Sequence, residues 1–210
     1  ASSNLTAPGS FDTVFKLSDV GTPQPIVLHG VDSSYSVHFS LAGTQVTKNA
    51  TMKLRYRFSP GLLPGISHLN VGLNGSLFAT LAVSATANQV QQAESLEAAL
   101  TLPADLLVHD NTITFEFIGH YAQQCEDPTN STLWSQIDSN STIELAGSQI
   151  AGASDLSALP LPFYDPGVNL QPSVPFVFLA QPSPKGMQAA GVIASWLGIL
   201  NGARPVRFPV

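Results

Sequence analysis

The feature that most constrains this chain is an apolar–polar alternation with a period of two. Tyr35, Val37, Phe39 and Leu41 share one parity, and Ser36, His38 and Ser40 take the other. Successive side chains of an extended backbone point to opposite faces, so the pattern puts one face on a core and the other in water. It returns at Met52, Leu54, Tyr56 and Phe58, with Lys53, Arg55 and Arg57 opposite. It returns again at Leu69, Val71 and Leu73, and at Ile113, Phe115 and Phe117 against Thr112, Thr114 and Glu116. Asn74-Gly75 follows one such run and is the strongest short hairpin signal, because both residues tolerate positive φ. Shorter runs at Phe11–Leu17, Ile26–Leu28, Ser76–Val83, Leu133–Ile137 and Ser141–Leu145 fit strands as well. Ala93–Leu100 suits a helix or a strand, and the strand reading is preferred. About eight strands separated by turn residues predict an all-β sandwich.

Residues 1–10 are small and polar and read as a loose end. The sandwich is expected over 11–147. Residues 148–172 read as a proline-rich linker, with Leu159-Pro160-Leu161-Pro162 and Tyr164-Asp165-Pro166-Gly167. Proline at this density prevents regular pairing. The pattern then changes over 173–210. Pro175–Ala180 is a continuous apolar run, as in a strand buried on both faces. Ser183 is a good N-cap with Pro184 at the first helical position. A helix is expected over Pro184–Leu200, closed by Asn201-Gly202 in an αL cap, and Val206–Val210 begins a second strand. Such a β-α-β start cannot bury its own faces, so 173–210 reads as an incomplete α/β domain.

Charge excludes several partner classes. Lys and Arg total 8 against 14 Asp and Glu. Without clustered positive charge, neither a phosphate backbone nor an anionic membrane surface is a fitting partner. Charged residues are only 10% of the chain, far below the ~25% of typical domains. The polar surface is built from Ser, Thr, Asn and Gln, which suits neutral, hydroxyl-rich partners. N-x-S/T triplets occur at Asn4, Asn49, Asn74, Asn130 and Asn140; in a eukaryotic secreted protein they could be glycosylated, but a chain this rich in Asn, Ser and Thr also produces them by chance, and that reading is preferred. The lone Cys125 permits neither an internal disulfide nor a cysteine-based metal site. The chain starts without a basic flank and apolar core, as a mature or trimmed end would. The longest apolar run, Ala189–Leu200, is too short to span a bilayer.

None of His29, His38, His68, His109 and His120 sits in a nucleophile, zinc, phosphate-loop or dinucleotide motif, and no cofactor is implied. Glu126-Asp127 offers paired carboxylates of the kind glycoside hydrolysis uses, although neighbours in sequence often point apart. Cys125 stands beside those acids with no cation, which disfavours thiolate. Trp196, in the apolar helix, is read as core. The densest polar-aromatic stretch runs from His120 to Asp127 and on to Trp134. Flat apolar faces with a polar handle suit the C–H faces and hydroxyls of a sugar. Tyr121, Gln123, Gln124, Glu126 and Trp134 are therefore the candidate carbohydrate contacts. The alternative for Trp134 is a plug at one end of the sandwich.

His120-Tyr-Ala-Gln-Gln-Cys-Glu-Asp-Pro-Thr-Asn-Ser-Thr-Leu-Trp134, followed by Ser139-Asn-Ser-Thr142, resembles the stretch that marks the B subunit of bacterial cellulose synthase. Leu159–Pro166, Val174–Ala180 with Ala194–Gly198, and Leu69–Gly75 are similar too, so the resemblance covers most of residues 30–200. It implies a jelly-roll, carbohydrate-binding-like domain followed by the opening of a small α/β domain. It also implies a non-catalytic periplasmic subunit, anchored in the inner membrane by a helix outside this chain. Its expected partners are the catalytic subunit, sister copies of itself and the emerging β-1,4-glucan. The family is often labelled cyclic-di-GMP-binding. No arginine-rich site for that ligand is visible here, Arg204 and Arg207 being a poor substitute; in such complexes the catalytic subunit reads the nucleotide. The rival readings are a purely structural packing module and an accessory domain of a glycoside hydrolase with Glu126 or Asp127 catalytic.

Overall fold

A computed structural model describes residues 9–84, 94–127, 130, 132–150, 157, 159–161, 164, 165, 168, 172–201 and 206–209. Its strands are β1 (Ser10–Lys16), β2 (Ile26–His29), β3 (Asp32–Ser40), β4 (Gln45–Phe58), β5 (His68–Leu73), β6 (Ser76–Ala82), β7 (Leu96–Thr101), β8 (Asp110–Ile118), β9 (Trp134–Ile137) and β10 (Thr142–Gln149), followed by one helix, α1 (Pro184–Leu200). The strands form two antiparallel sheets, so the sandwich expected from the alternation is present. Residues 1–8 lie outside the described residues.

Pairing registers show how the first sheet is wired. β10 pairs with β4 through Gln45–Lys53, β9 with β4 through Tyr56–Phe58, and β7 with β4 through Thr51–Tyr56. A strand has two edges, so β9 and β10 share one edge of β4 and β7 takes the other. β1 pairs with β10 and β2 with β9, which makes β1/β2 a further interrupted ribbon. Across the sheet the order is β1/β2, β10/β9, β4, β7. The second sheet runs β3-β8-β5-β6.

The alternating positions make the core. Met52, Leu54, Phe58, Ile137, Ile143 and Leu145 face inward from the first sheet, and Val37, Phe39, Leu69, Val71, Ile113, Phe115 and Phe117 from the second, all buried. Phe58 stacks on Phe117 across the gap at 6.3 Å between ring centroids, and Phe15 meets Phe39 at 5.5 Å. Asn74 and Gly75 take φ of 51° and 82° in the β5–β6 turn, as a type I′ hairpin requires. Asn74 Nδ2 donates to Leu106 O at 2.7 Å and to Asn111 Oδ1 at 3.0 Å. At this triplet the amide nitrogen is committed to the fold.

β4 starts well before the alternating run that opens at Met52. Gln45–Ala50 carries no clean alternation because a bulge at Lys48 breaks the pairing, Asn49 facing Ala146 while Thr47 faces Gly147. The C-terminal part departs further. Helix α1 has the expected bounds, and the Ser183 Oγ accepts from Gly186 N at 3.2 Å. Its C-cap, Asn201, is right-handed, with its Oδ1 accepting from Tyr164 OH at 2.9 Å; Gly202, the residue that an αL closure would use, lies outside the described residues. Pro175–Ala180 is not a ladder strand buried on both faces: Val177 and Leu179 are exposed. Among the described residues a parallel bridge, Ser173 to Arg207, joins the two extended segments around the helix, supported by Phe176 against Phe208 at 5.9 Å. With no further strand described beside them, the apolar side chains find no cover. Trp196 is likewise 41% exposed instead of core, and Leu197 is the helix's buried residue.

Candidate functional site

The 120–127 segment leaves β8 at the rim of the sandwich and closes on itself. Leu63 N donates to His120 O at 2.8 Å, and His120 N donates to Ser67 Oγ at 3.0 Å. Glu126 turns inward. Its Oε1 accepts from the backbone N–H groups of Tyr121 and Ala122 at 2.6 and 2.7 Å, and its Oε2 meets His120 Nδ1 at 2.5 Å. Only 13% of the Glu126 side chain is exposed. The His120 hydrogen bond, then the backbone donors, hold its carboxyl below the usual carboxylate range. A glycosidase general acid needs the opposite, a raised pKa. The arrangement therefore works as a latch, with the carboxylate as its pin. Cys125 sits at the exposed tip with φ of 56°.

Of the candidate carbohydrate contacts, Tyr121 and Glu126 are brought together within this latch, and Gln123 and Gln124 are exposed beside it. Tyr121 is 37% exposed, but its hydroxyl accepts from Asp127 N at 2.9 Å. Trp134 belongs to a different surface. It opens β9, half-buried on the outer face of the first sheet, with its backbone bonded to Ser59. It plugs no end of the sandwich. The Arg57 guanidinium lies over its ring at 5.8 Å from the centroid, and His29 is its cross-strand neighbour.

That outer face carries the three cations of β4. Lys53 pairs with Glu144 at 2.6 Å and Arg55 with Glu97 at 3.1 Å. Arg57 has no carboxylate partner among the described residues. Its Nε donates instead to Gln136 Oε1 at 2.7 Å. Arg57 and Gln136, together with Pro25, Tyr56, Ser95 and Asp138, line a groove of about 270 Å³. No local motif singles out Arg57 from Lys53 and Arg55, or marks Gln136. The period-two parity that places both residues and Trp134 outward was legible, but which cation lacks an acid depends on strand order. The described residues bring no three His, Cys, Asp or Glu side chains together as a metal cluster.

Comparison with known families agrees with this architecture. The family model described as "Cellulose synthase BcsB, first CBM domain" matches residues 10–149, two-thirds of the chain. The chain belongs to the cellulose synthase BcsB family. The model "Cellulose synthase BcsB, first FD domain" matches residues 155–210. A cyclic di-GMP-binding protein of Xanthomonas axonopodis pv. citri (strain 306) is 36% identical over 202 residues, covering 96% of this chain and 25% of its own length. Cellulose synthase 2 of Novacetimonas hansenii is 32% identical over 208 residues, covering 97% of this chain and 12% of its own. The chain thus spans a quarter or less of these curated relatives. Among solved structures, a family 35 carbohydrate binding module from an environmental isolate aligns with TM-score 0.32 and 17% identity, over 60% of this chain and 76% of that one.

Proposed function

We propose that this chain is the first carbohydrate-binding-type module, with the opening of the following α/β domain, of a non-catalytic periplasmic subunit of a cellulose synthase complex. In this reading it supports the membrane-embedded catalytic subunit and guides or binds the emerging β-1,4-glucan. Its inner-membrane anchor lies outside this chain, and sister copies are further partners.

One observation carries the reading. The strands form two antiparallel sheets, β1/β2–β10/β9–β4–β7 and β3–β8–β5–β6, the double-sheet architecture that a jelly-roll reading needs. This order sits in a chain of the BcsB family, whose first module is described as carbohydrate-binding. The outer faces supply polar, hydrogen-bonding chemistry. On the second sheet, Thr80 Oγ1 donates to Asn70 Oδ1 and Asn70 Nδ2 to Glu116 Oε2, at 2.8 and 2.9 Å.

The test is complementation. Cellulose-producing cells lacking the gene for the subunit receive the full-length protein with or without residues 10–149. Cellulose output and co-purification of the catalytic subunit are measured in both. Loss of cellulose with co-purification retained supports glucan guiding. Unchanged output on deleting the module overturns it. Loss of both favours the purely packing role, which the exposed edges and polar faces of the sandwich also suit.

A further inference from the structure

Three cations line the outer face of β4, and their fates differ. Lys53 and Arg55 are neutralised by acids across the sheet. Arg57 is held by two contacts that leave its charge unspent: the indole of Trp134 beneath it and Gln136 Oε1 on its Nε. A guanidinium carries five N–H donors in a rigid plane. With Nε taken, its terminal nitrogens remain as a pre-oriented fork. Long, flexible side chains lose affinity through the entropy of being fixed. Here much of that cost is met before any ligand arrives.

The groove beside this fork has one cation and one carboxylate, Arg57 and Asp138, so it carries no net charge. Asp138 Oδ1 already accepts from Asn140 N at 2.8 Å. Gln136 and Ser95 add polar groups and Pro25 apolar surface, while the Tyr56 ring turns inward against Phe58. Planar polar side chains around a small apolar patch match vicinal hydroxyls on a pyranose ring. An anion would meet Asp138, and a cation would meet Arg57. The lining is matched to a neutral polyol.

We infer that Arg57 and Gln136 form the glucan-contacting pair of this module, with Trp134 as the positioning residue that holds the Arg57 fork over the groove. This rests on the proposed glucan-handling function and moves the contact from the 120–127 latch to the outer face of the first sheet. The ligand class is a neutral β-1,4-glucan lying across β9 and β4.

The test titrates the 210-residue chain with cellohexaose. A Trp196→Phe background leaves Trp134 as the single fluorescent indole, and calorimetry runs in parallel. The unaltered groove is expected to give saturable binding with a change in Trp134 emission. Arg57→Ala and Arg57→Lys are each expected to weaken it about tenfold to a hundredfold, the loss of charge-assisted hydrogen bonds. Arg57→Lys keeps the charge but not the fork, and Gln136→Leu serves if Arg57→Ala lowers the melting temperature. Binding by all variants at unaltered affinity overturns the platform while leaving glucan binding in place. No response of the unaltered groove at millimolar cellohexaose overturns the glucan contact itself.

Discussion

Asn111 opens the inner run of β8 and is 1% exposed. Replacing it by alanine removes three hydrogen bonds. Its Oδ1 accepts from Val108 N at 2.9 Å and from Asn74 Nδ2 at 3.0 Å, and its Nδ2 donates to Val108 O at 2.7 Å. Each such bond contributes about 0.5–1.5 kcal/mol net, and a buried group left unpaired costs more. Two of the orphaned groups have alternatives. Asn74 Nδ2 keeps Leu106 O at 2.7 Å, and Val108 is exposed enough for water to reach its backbone. The lower half of the range therefore applies, and Asn111→Ala is expected to cost about 1.5–3 kcal/mol. For a domain of this size that lowers the melting temperature by roughly 4–10 °C. The assay is urea and thermal unfolding followed by far-ultraviolet circular dichroism. Asn74→Ala in the same background completes a double-mutant cycle. The shared bond predicts that the double variant loses less than the sum of the singles, by about 0.5 kcal/mol or more. A cost below about 0.5 kcal/mol for Asn111→Ala, or strict additivity, refutes the claim that this pair ties the β5–β6 turn to β8.

Other expectations follow from the same geometry. Because the Glu126 carboxyl is held below its ordinary range when folded, its contribution to stability is present above the unfolded pKa and is lost as pH falls through the folded one. Urea midpoints between neutral and strongly acid pH are expected to fall more steeply in the unaltered chain than in Glu126→Gln, and equal slopes would count against the latch. At Gly147 a Cβ would lie 2.0 Å from Val46 O and 2.8 Å from the Phe11 ring, so Gly147→Ala is expected to unfold at lower denaturant than Gly43→Ala, whose Cβ meets nothing within 4 Å. Phe117→Ala removes a fully buried ring stacked on Phe58 and is expected to cost about 3–5 kcal/mol, read from the same unfolding curves.

Period-two spacing by itself determined the strands around Tyr35–Leu41, Met52–Phe58, Leu69–Leu73 and Ile113–Phe117. Parity is a local property: once Phe115 points inward, Phe117 must too. It also determined the β5–β6 turn at Asn74-Gly75 and the bounds of α1, because φ preference and capping act within a few residues. Strand order was decided only by the tertiary structure. The two halves of the β1/β2 ribbon read alike whether they flank β9 and β10 or some other strands. The candidate site divides the same way. Aromatic and polar richness at 120–134 was visible in the sequence, yet the inward turn of Glu126 depends on His120 and on two backbone N–H groups. Arg57 differs from Lys53 and Arg55 only because β7 and β10 end before they can offer it an acid, and because β9 sets Trp134 and Gln136 beside it instead. Charge pairing between strands depends on register over long sequence separations, and no local pattern encodes it.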